Sequence, residues 1–408
     1  MSPLAESPSL AEAPVPFPFP PPPTIFHPSP ELKELQRSRP VVQVQLPDGK
    51  TGWLVTRYED VRQILIDPRF SRAAANSPDV PDTGLGQASA GSILGMDPPE
   101  HTRLRRLVAG AFTARRVEAL RPRVAKLIDE LIDHMGTQPQ PVDLVENFSL
   151  PLPVQVICEL LGVPAEDRHI FHEWSDTLLS DISRDPAEIQ AAFDQLAAYI
   201  ARLIAIKRAL PADDLMTALI AARDGQDRLS EEELVRLGIT LLIAGHETTA
   251  NQINMFLLTL YEYPEQLERL RADREMIPQA VEELMRFVQL GTVGAGLPRV
   301  TTEEVELSGV RLPAGVAVIP VMAAANRDPA AVTDPDRLDV TRPQSAHLGF
   351  GAGVHHCLGA QLARMELQEA LRGLLGRMPR MELAAPVDEL IFKNGMIVRS
   401  LRALPVRW

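Results

Sequence analysis

The fold of this chain is decided by the stretch at residues 350–364, which reads Phe350-Gly351-Ala352-Gly353-Val354-His355-His356-Cys357-Leu358-Gly359-Ala360-Gln361-Leu362-Ala363-Arg364. The glycines have no Cβ, so the backbone can bend sharply and approach a flat partner closely. Apolar residues recur at helical spacing from Leu358 to about Leu375, which predicts an amphipathic helix. Cys357 lies at the N-terminal end of this helix, where free N–H groups and the helix dipole favour a thiolate. A thiolate held in this way is a soft metal ligand.

The same stretch resembles the haem-binding loop of the cytochrome P450 haem-thiolate monooxygenases, whose pattern is Phe-Gly-x-Gly-x-His-x-Cys-x-Gly-x-x-Leu-Ala-Arg. Every fixed position of that pattern is filled here. The resemblance implies that Cys357 is the axial thiolate ligand of the iron in a haem b cofactor. It also implies that the cofactor contacts other residues of the loop, namely Phe350, Gly351, His355 and Gly359. Among these, His355 corresponds to a propionate ligand.

Two other interpretations of this cysteine follow from the residues alone. A single cysteine beside a helical run is usually an inert core residue. Alternatively, His355, His356 and Cys357 could hold zinc, as in a zinc hydrolase, although no second Cys/His pair lies near to complete four ligands. The haem interpretation therefore needs support from other parts of the chain.

Composition narrows the class of protein. The chain has 408 residues, 45% of them hydrophobic, which suits a globular protein, and its formal net charge of −13 argues against a nucleic-acid role. Of its two cysteines, Cys158 lies in an apolar run, so no disulfide framework is expected and a reducing cytoplasm is favoured. No apolar run approaches the ~18 to 20 residues of a membrane span. We therefore expect a cytoplasmic monomer that binds neither nucleic acid nor a membrane.

Domain organisation follows from the proline content and from the extent of the resemblance. Residues 1–30 are rich in proline, including positions 20–23, which predicts an extended or partly disordered arm; an SH3-type ligand is the alternative. The family resemblance covers nearly everything that follows, which implies one catalytic domain over residues 31–408. Inside it, β-prone runs at 41–46 and 52–56 flank an Asp-Gly turn and predict a hairpin.

A long helical pattern between residues 230 and 263 is the second landmark. Ser230 and Glu233 have the spacing of a capping box, and about 34 helical residues would extend ~50 Å through the interior. The middle of the pattern reads Ala244-Gly245-His246-Glu247-Thr248-Thr249. Buried polar groups cost free energy unless they have partners, so polar residues in a buried helix need a structural or functional reason. A local kink, in which threonine hydroxyls bond back to the preceding turn, is one such reason.

The family resemblance gives this hexapeptide another role. It matches the oxygen-activation motif, which places Ala244 and Gly245 beside the haem. In that motif Gly245 leaves room for dioxygen. Glu247 is the acid that relays protons, and Thr248 is the alcohol that holds the distal oxygen and its water.

His101 and Arg105 are four residues apart and share one face of a helix that follows Asp97, a good N-cap residue, and two prolines. From the residues alone this face could be merely basic and solvated. The resemblance implies that both side chains bind a haem propionate, and that Arg299 binds one as well. Other basic residues nearby form a candidate dock for an acidic electron carrier in this acidic chain, namely Arg103, Arg106, Arg115 and Arg116.

Glu283 and Arg286 are spaced i, i+3 on a predicted helix. Such a pair is usually a minor surface ion pair. The resemblance implies instead a buried structural pair on the cysteine side of the haem, which a further arginine completes. Both Arg337 and Arg342 fit that position, and the sequence does not choose between them.

The four landmarks occur in the order that the family shows: His-x-x-x-Arg, the Glu-Thr helix, Glu-x-x-Arg and the cysteine loop. The resemblance therefore implies a mainly α fold with small β-sheets, in the α+β class. It implies the triangular prism of the cytochrome P450 fold, with haem between a long central helix and the helix after the cysteine loop.

The resemblance also implies a monooxygenase that uses O2 and two externally supplied electrons to hydroxylate or epoxidise a small organic molecule. The chain contains no dinucleotide-binding fingerprint, so we expect electrons from a ferredoxin and its NAD(P)H-dependent reductase. The overall sequence resembles actinobacterial enzymes that tailor natural products such as macrolides and polyketides. Pocket residues are expected in five segments, at 71–95, 178–187, 241–248, 290–297 and 392–397.

Two further functions compete with this one. Short segments, notably residues 296–299, also resemble oxidases that couple or modify tryptophan-containing cyclic dipeptides. A haem-thiolate sensor or carrier without turnover is the other alternative. It is disfavoured by Glu247 and Thr248, because a sensor needs no proton relay.

Overall fold

The structure, a computed structural model, describes residues 13–22, 24–81, 91–170, 174, 177–178, 185–226, 229–291, 296–343, 347–394 and 396–408. Helices form most of it, and small sheets lie beside them. This confirms the mainly α fold with small β-sheets that the sequence predicted.

The α-helices of the described residues follow the apolar periodicity of the sequence. In chain order they are α1 (Pro30–Ser38), α2 (Tyr58–Ile66), α3 (Glu100–Ala109), α4 (Ala114–Gly136), α5 (Pro151–Leu161), α6 (Pro186–Ala209), α7 (Leu215–Gln226), α8 (Glu231–Glu262), α9 (Pro264–Ala272), α10 (Ile277–Phe287), α11 (Met322–Ala325) and α12 (Ala360–Arg377). Proline occupies the first turn of several of them, where its missing N–H leaves no helical hydrogen bond unmade.

The strands of the described residues form three sheets. They are β1 (Val15–Pro16), β2 (Val41–Gln45), β3 (Thr51–Val55), β4 (Phe70–Ser71), β5 (Val142–Asp143), β6 (Arg299–Thr301), β7 (Val305–Leu307), β8 (Val310–Leu312), β9 (Ala317–Pro320), β10 (Glu382–Leu383) and β11 (Pro405–Arg407). The largest sheet has the order β1-β2-β3-β9-β6-β4, and the others are β10-β11-β5 and β7-β8. The predicted hairpin is confirmed, because β2 and β3 are antiparallel with Val41 opposite Val55. Antiparallel pairing of β4 with β6 brings two distant parts of the chain together.

The long central helix is α8. Its predicted capping box is present, since the Ser230 hydroxyl accepts from the Glu233 N–H and the Glu233 carboxylate accepts from the Ser230 N–H. Most of its residues from Leu234 to Leu260 are buried, and it packs against α5, α6 and α12. The cysteine loop leads directly into α12, which packs against α8.

The N-terminal segment is part of the fold from residue 13 onward. β1 pairs with β2, and the rings of Phe17 and Phe26 are buried. Two arginines from the body of the protein donate to carbonyls of this segment, Arg327 to Phe26 and Arg399 to Ile25. Residues 1–12 of the predicted arm lie outside the described residues.

Among the described residues, one helix is long and apolar enough, by length and composition, to cross a membrane. It is the part of α6 that spans Ala187–Ala209, and a third of its most apolar window is buried inside the protein. Sequence reasoning missed it because Asp194 and Arg202 interrupt the apolar residues. Leu196 and Ile200 pack into the core, as expected for a helix of the interior, so the feature is weak support for a membrane span.

Candidate active site

Two glycines with positive φ shape the loop before α12. Gly351 and Gly353 both have φ +69°, a conformation that residues with a Cβ rarely adopt. A Cβ on Gly353 would also lie 2.4 Å from the carbonyl oxygen of Leu65. The Cys357 N–H closes the loop by donating to the carbonyl of Phe350 at 2.8 Å. This geometry fixes the cysteine just before α12 begins.

Cys357 faces open space. Its side chain is exposed, and nothing lies within 4 Å of a Cβ built on Gly359. The surrounding protein still removes enough water to raise the pKa of the thiol, although the Gly359 N–H and the charges of Arg105 and Arg364 act in the opposite direction. The helix start does favour a thiolate, as the sequence predicted, but burial outweighs it, so in the protein alone the net shift of the pKa is upward. A bound metal ion deprotonates a coordinating thiol, so thiolate formation here depends on the metal.

The alternatives for this cysteine do not fit the geometry. An inert core cysteine would be buried, as Cys158 is, whereas Cys357 is exposed. Within the part of the chain that the structure describes, no three His, Cys, Asp or Glu side chains lie close enough to hold a metal ion. A zinc site built from His355, His356 and Cys357 is therefore not formed.

Two residues in the middle of α8 reach open space although most of their neighbours are buried. Ala244 is exposed and Thr248 is half-buried, and the two lie one helical turn apart on the same face. The Thr248 hydroxyl donates to the carbonyl of Ala244 at 2.9 Å, which is the predicted back-bond. Its oxygen keeps lone pairs that can accept further hydrogen bonds. Thr248 is thus a polar group on an interior face that can hold a water molecule.

The other two residues of the predicted motif face elsewhere. A Cβ on Gly245 would lie 2.6 Å from Cγ1 of Ile157, so this glycine allows α8 to pack closely against α5. The expectation that Gly245 leaves room for dioxygen is wrong on this geometry, and Ala244 takes the exposed position instead. Glu247 is 2% exposed, and its carboxylate accepts a long hydrogen bond from the Asn251 amide at 3.4 Å.

Cationic and imidazole side chains gather around His355. The rings of His101 and His355 lie 4.3 Å apart. Burial, His101, Arg299 and Arg72 together lower the pKa of His355 to about 3. Burial and the charge of Arg72 lower the pKa of Arg299 to about 10. Arg105 joins the group by donating to the carbonyl of His356. The predicted residues His101, Arg105, Arg299 and His355 are therefore brought together.

Among the described residues, this cluster carries more positive charge than the carboxylates around it balance. Asp97 is the described carboxylate that faces it, and the Asp97 oxygens already accept from the Ser71 hydroxyl and the Arg72 N–H. Among the described residues, Nδ1 of His101 has no hydrogen-bond partner, and the Arg299 side chain makes one long bond of 3.5 Å to the Leu297 carbonyl. Excess buried positive charge is costly unless an anion compensates it.

These observations test whether the residues present fit a haem. A haem needs an axial donor, open space for its flat ring and cations for its two carboxylates. Cys357 can donate a thiolate, open space adjoins Gly359 and Ala244, and the cationic cluster lacks sufficient anions. The residues therefore fit the cofactor that the sequence resemblance implied.

Sequence reasoning missed Arg72. This side chain is 2% exposed, and it donates to the carbonyls of Leu94 and Pro298. It enters the cluster because β4, which ends at Ser71, pairs with β6, which begins at Arg299. An arginine directly after a short apolar strand was the available signal.

Asp97 does not cap α3, so that prediction is wrong. The helix begins at Glu100, and Pro98 and Pro99 separate it from the carboxylate. The carboxylate accepts instead from the backbone N–H of Arg72 at 2.8 Å. A charged acceptor is drawn to free N–H groups, and here those groups belong to the turn after β4.

Glu283 and Arg286 form a buried pair. Both N–O distances of the bidentate contact are 2.8 Å, and both side chains are nearly inaccessible. Arg342 supplies the third member, with its Nε 3.2 Å from the Glu283 carboxylate, whereas the exposed Arg337 side chain pairs with Asp339. This network joins α10 to the segment before the cysteine loop, on which the position of Cys357 depends.

A second carboxylate of α10 holds the end of the cysteine motif. Glu282 accepts from Nε of Arg364 at 2.7 Å, and Nε2 of His347 lies 3.0 Å away. Burial alone would raise the pKa of Glu282, but these two partners outweigh burial and lower it to about 2. The guanidinium of Arg364 also stacks 4.4 Å from the ring centre of Phe350, which is buried.

The segments expected to form the substrate pocket are described only in part. Residues 82–90, 179–184, 292–295 and 395 lie outside the described residues. Two clefts occur elsewhere, one of about 380 Å³ at the edge of the large sheet and one of about 520 Å³ against the N-terminal segment. Neither cleft includes Cys357, Ala244 or Thr248.

Comparison with known proteins agrees with this geometry. The cytochrome P450 family profile matches residues 154–378. The mycinamicin IV hydroxylase/epoxidase of Micromonospora griseorubida is 51% identical over 375 residues, which cover 92% of this chain and 94% of that protein. The nocardicin C N-oxygenase of Nocardia uniformis subsp. tsuyamanensis is 48% identical over 380 residues, which cover 93% and 95%.

A solved structure is similar over nearly the whole length. The LnmA cytochrome P450 hydroxylase from the leinamycin biosynthetic pathway of Streptomyces atroolivaceus S-140 is 45% identical, with a TM-score of 0.89 over 97% of this chain and 100% of that chain. The expected cytochrome P450 fold is thereby confirmed. The chain belongs to the cytochrome P450 family, and it is a cytochrome P450 monooxygenase.

Proposed function

We propose that this enzyme uses haem b, held by the thiolate of Cys357, to insert one oxygen atom from O2 into a secondary metabolite. The observation that carries the proposal is the open face of α8 at Ala244 and Thr248, on a helix that packs against α12, together with the exposed cysteine before α12 and the cationic cluster that Arg105 joins through the His356 carbonyl. An interior face of this kind suits a flat dianionic cofactor on one side and a small molecule on the other.

The bound haem would supply the centre at which O2 is reduced and oxygen is transferred. Cys357 would ligate the iron, and the cationic cluster around His355 would bind the two carboxylates. The Thr248 hydroxyl already donates to Ala244, so its lone pairs are free to accept a hydrogen from a water molecule in the cavity. Glu247, one residue earlier on α8, would pass protons to that water when its buried side chain turns toward the face that carries Thr248.

We assign the electron supply to a ferredoxin and its NAD(P)H-dependent reductase. Support comes from the exposed side chains of Arg106, Arg115 and Arg116 on α3 and α4. Positive charge on a chain with a net charge of −13 favours encounter with an acidic partner. Arg103, which the sequence included in this basic group, pairs instead with Glu233 at the start of α8. We also propose that the enzyme is a cytoplasmic monomer.

The substrate class rests on similarity. The relative that is 51% identical bears the name of a hydroxylase/epoxidase of mycinamicin IV, and the relative that is 48% identical bears the name of an N-oxygenase of nocardicin C. We propose hydroxylation or epoxidation of a macrolide or related polyketide.

A ligand titration of the ferric enzyme tests this proposal. A panel of macrolactones and a panel of tryptophan-containing cyclic dipeptides would be compared through the blue shift of the haem Soret band. We expect a saturable shift with macrolactones and, with ferredoxin, reductase, NAD(P)H and O2, a product one oxygen atom heavier. A shift confined to cyclic dipeptides would contradict the substrate class. Binding without any turnover would point to a sensor.

A further inference from the structure

His246, between Gly245 and Glu247 on α8, is a polar side chain that the proposed chemistry has not used. Its side chain is completely buried. Its Nδ1 lies 2.7 Å from the carbonyl oxygen of Leu242. A carbonyl oxygen can only accept, so Nδ1 carries a hydrogen. The ring nitrogen whose partner and protonation are still to be assigned is therefore Nε2.

Nε2 of His246 has no hydrogen-bond partner within the described ranges. It lies 3.6 Å from Oε1 of Glu247, which is 2% exposed. Side chains of adjacent helical residues normally diverge, so this approach requires both to be held. The Leu242 carbonyl holds the imidazole, and the amide of Asn251 donates to the other oxygen of Glu247 at 3.4 Å. A line of polar atoms thus runs along the buried helix and ends one residue before Thr248.

The contact between Nε2 of His246 and the Glu247 carboxylate indicates whether Nε2 carries a hydrogen. If Nε2 carried no hydrogen, its lone pair would face an oxygen of the Glu247 carboxylate, and two acceptors would repel each other in a buried place. A proton on Nε2 removes the repulsion and gives the imidazole a charge opposite to that of the carboxylate. The distance of 3.6 Å exceeds a normal hydrogen bond, so a direct hydrogen bond requires a small rotation of either side chain.

We propose that His246 and Glu247 form a proton-holding pair, in which His246 carries the proton on Nε2 and positions Glu247 beside Thr248. The inference rests on the proposed function and adds a positioning residue to it. In the transfer, the N–H bond at Nε2 breaks and the proton passes to Oε1 of Glu247. The Glu247 side chain then turns toward the face of α8 that carries Thr248 and gives the proton to the water held there. His246 is left neutral and Glu247 ionised, and the pair takes one proton back from bulk water before the next turnover.

The direct test is the protonation state of His246. The haem-containing enzyme, labelled with ¹⁵N in its imidazoles, would be measured by NMR as the diamagnetic ferrous carbonyl complex near pH 7.5. We expect an imidazolium signal for His246 that is absent in H246Q, and we expect E247Q to convert it to a neutral Nδ1–H imidazole. A neutral imidazole in the unmodified enzyme would overturn the proposal. If H246Q does not fold, the signal that E247Q converts from imidazolium to neutral imidazole identifies His246.

The second readout is the share of NAD(P)H electrons that reaches product rather than peroxide. We expect H246Q to lower this share about tenfold, with an unchanged Soret shift on substrate binding. In the E247Q background the same substitution should have no further effect, because the two residues act as a unit. Q252M is the matched control, since Gln252 is a buried amide of α8 whose Nε2 also has no partner among the described residues.

The outcomes separate the two proposals. Independent losses in H246Q and E247Q, or an equal loss in Q252M, would contradict the pair and leave the monooxygenase function intact. Absence of a haem band or of any substrate shift in the unmodified enzyme would contradict the proposed function itself.

Discussion

Replacing Gly245 with alanine tests whether this glycine allows α8 to pack against Ile157 or leaves room for a ligand of the haem. The added Cβ would lie 2.6 Å from Cγ1 and 2.7 Å from Cδ1 of Ile157, whereas carbon atoms pack at about 3.5–4.0 Å. Ile157 is 1% exposed, so it has little space into which to move. Overpacking of this kind costs about 1–3 kcal/mol, and the better helix propensity of alanine returns about 1 kcal/mol. We expect G245A to lower the free energy of unfolding by roughly 1 kcal/mol.

The assay is urea unfolding of the haem-saturated protein, followed by circular dichroism. G136A is the matched control, because nothing lies within 4 Å of a Cβ at that helical glycine. The double variant G245A/I157A provides the decisive comparison, since I157A removes the clashing atoms. In that background only the helix-propensity gain of about 1 kcal/mol remains, so G245A should stabilise the protein slightly, and the coupling free energy should equal the cost of the clash, about 1–3 kcal/mol.

Two results would refute this reasoning. The first is an equal cost of G245A with and without the Ile157 side chain, because the clash would then not be the cause. The second is unchanged stability together with weakened carbon monoxide binding by the ferrous enzyme. That outcome would restore the earlier expectation that Gly245 makes room for a ligand.

Three further predictions concern the buried carboxylates and the α8 hydroxyl. E283Q leaves the Arg286 charge buried without its partner, and it should lower the free energy of unfolding in urea by about 3–5 kcal/mol. Glu282 has a folded-state pKa of about 2, below its ordinary 4.5, so it stabilises the protein by about 3 kcal/mol above pH 4.5 and loses this contribution as the pH falls toward 2. E282Q should therefore flatten the stability profile in that window, and an unchanged acid slope would contradict the assignment. Thr248 and Thr259 both bond back along α8, but Thr259 is buried. T248V should divert electrons from product to peroxide about tenfold more than T259V does, and equal effects would exclude a role for the cavity position.

The parts of the fold that depend on local signals were predictable from the sequence. The capping box of Ser230 and Glu233 and the apolar periodicity after it gave α8 within one residue at its C-terminal end. The Asp-Gly turn between β-prone runs gave the β2–β3 hairpin. In each case neighbouring residues carry the determining interaction, so the pattern and the structure agree.

Features that depend on distant contacts were not predictable. Arg72 joins the cationic cluster only because β4 pairs with β6, a contact between residues about 230 positions apart. The choice of Arg342 over Arg337 depends on the path of an irregular segment past Glu283. Neither a periodicity nor a motif reports such a path.

Two expectations from the sequence were incomplete or wrong because a motif reports neither burial nor packing. The start of a helix favours a thiolate, but burial raises the pKa of Cys357 and outweighs that effect. The family motif gave Gly245 a role toward dioxygen, but the side of α8 on which its missing Cβ lies is set by the packing of Ile157. In both cases the sequence identified the right residue, but the physical explanation given for it was incomplete or wrong.

The most direct test of the central claim is the carbon monoxide spectrum of the reduced enzyme and of C357A. Ligation by a thiolate gives the strongly red-shifted Soret band of the family, so the unmodified enzyme should show it and C357A should not. C158A, which removes the buried cysteine, should keep the band. A red-shifted band that persists in C357A, or a colourless protein that contains zinc, would contradict the assignment of Cys357 as the ligand of a haem iron.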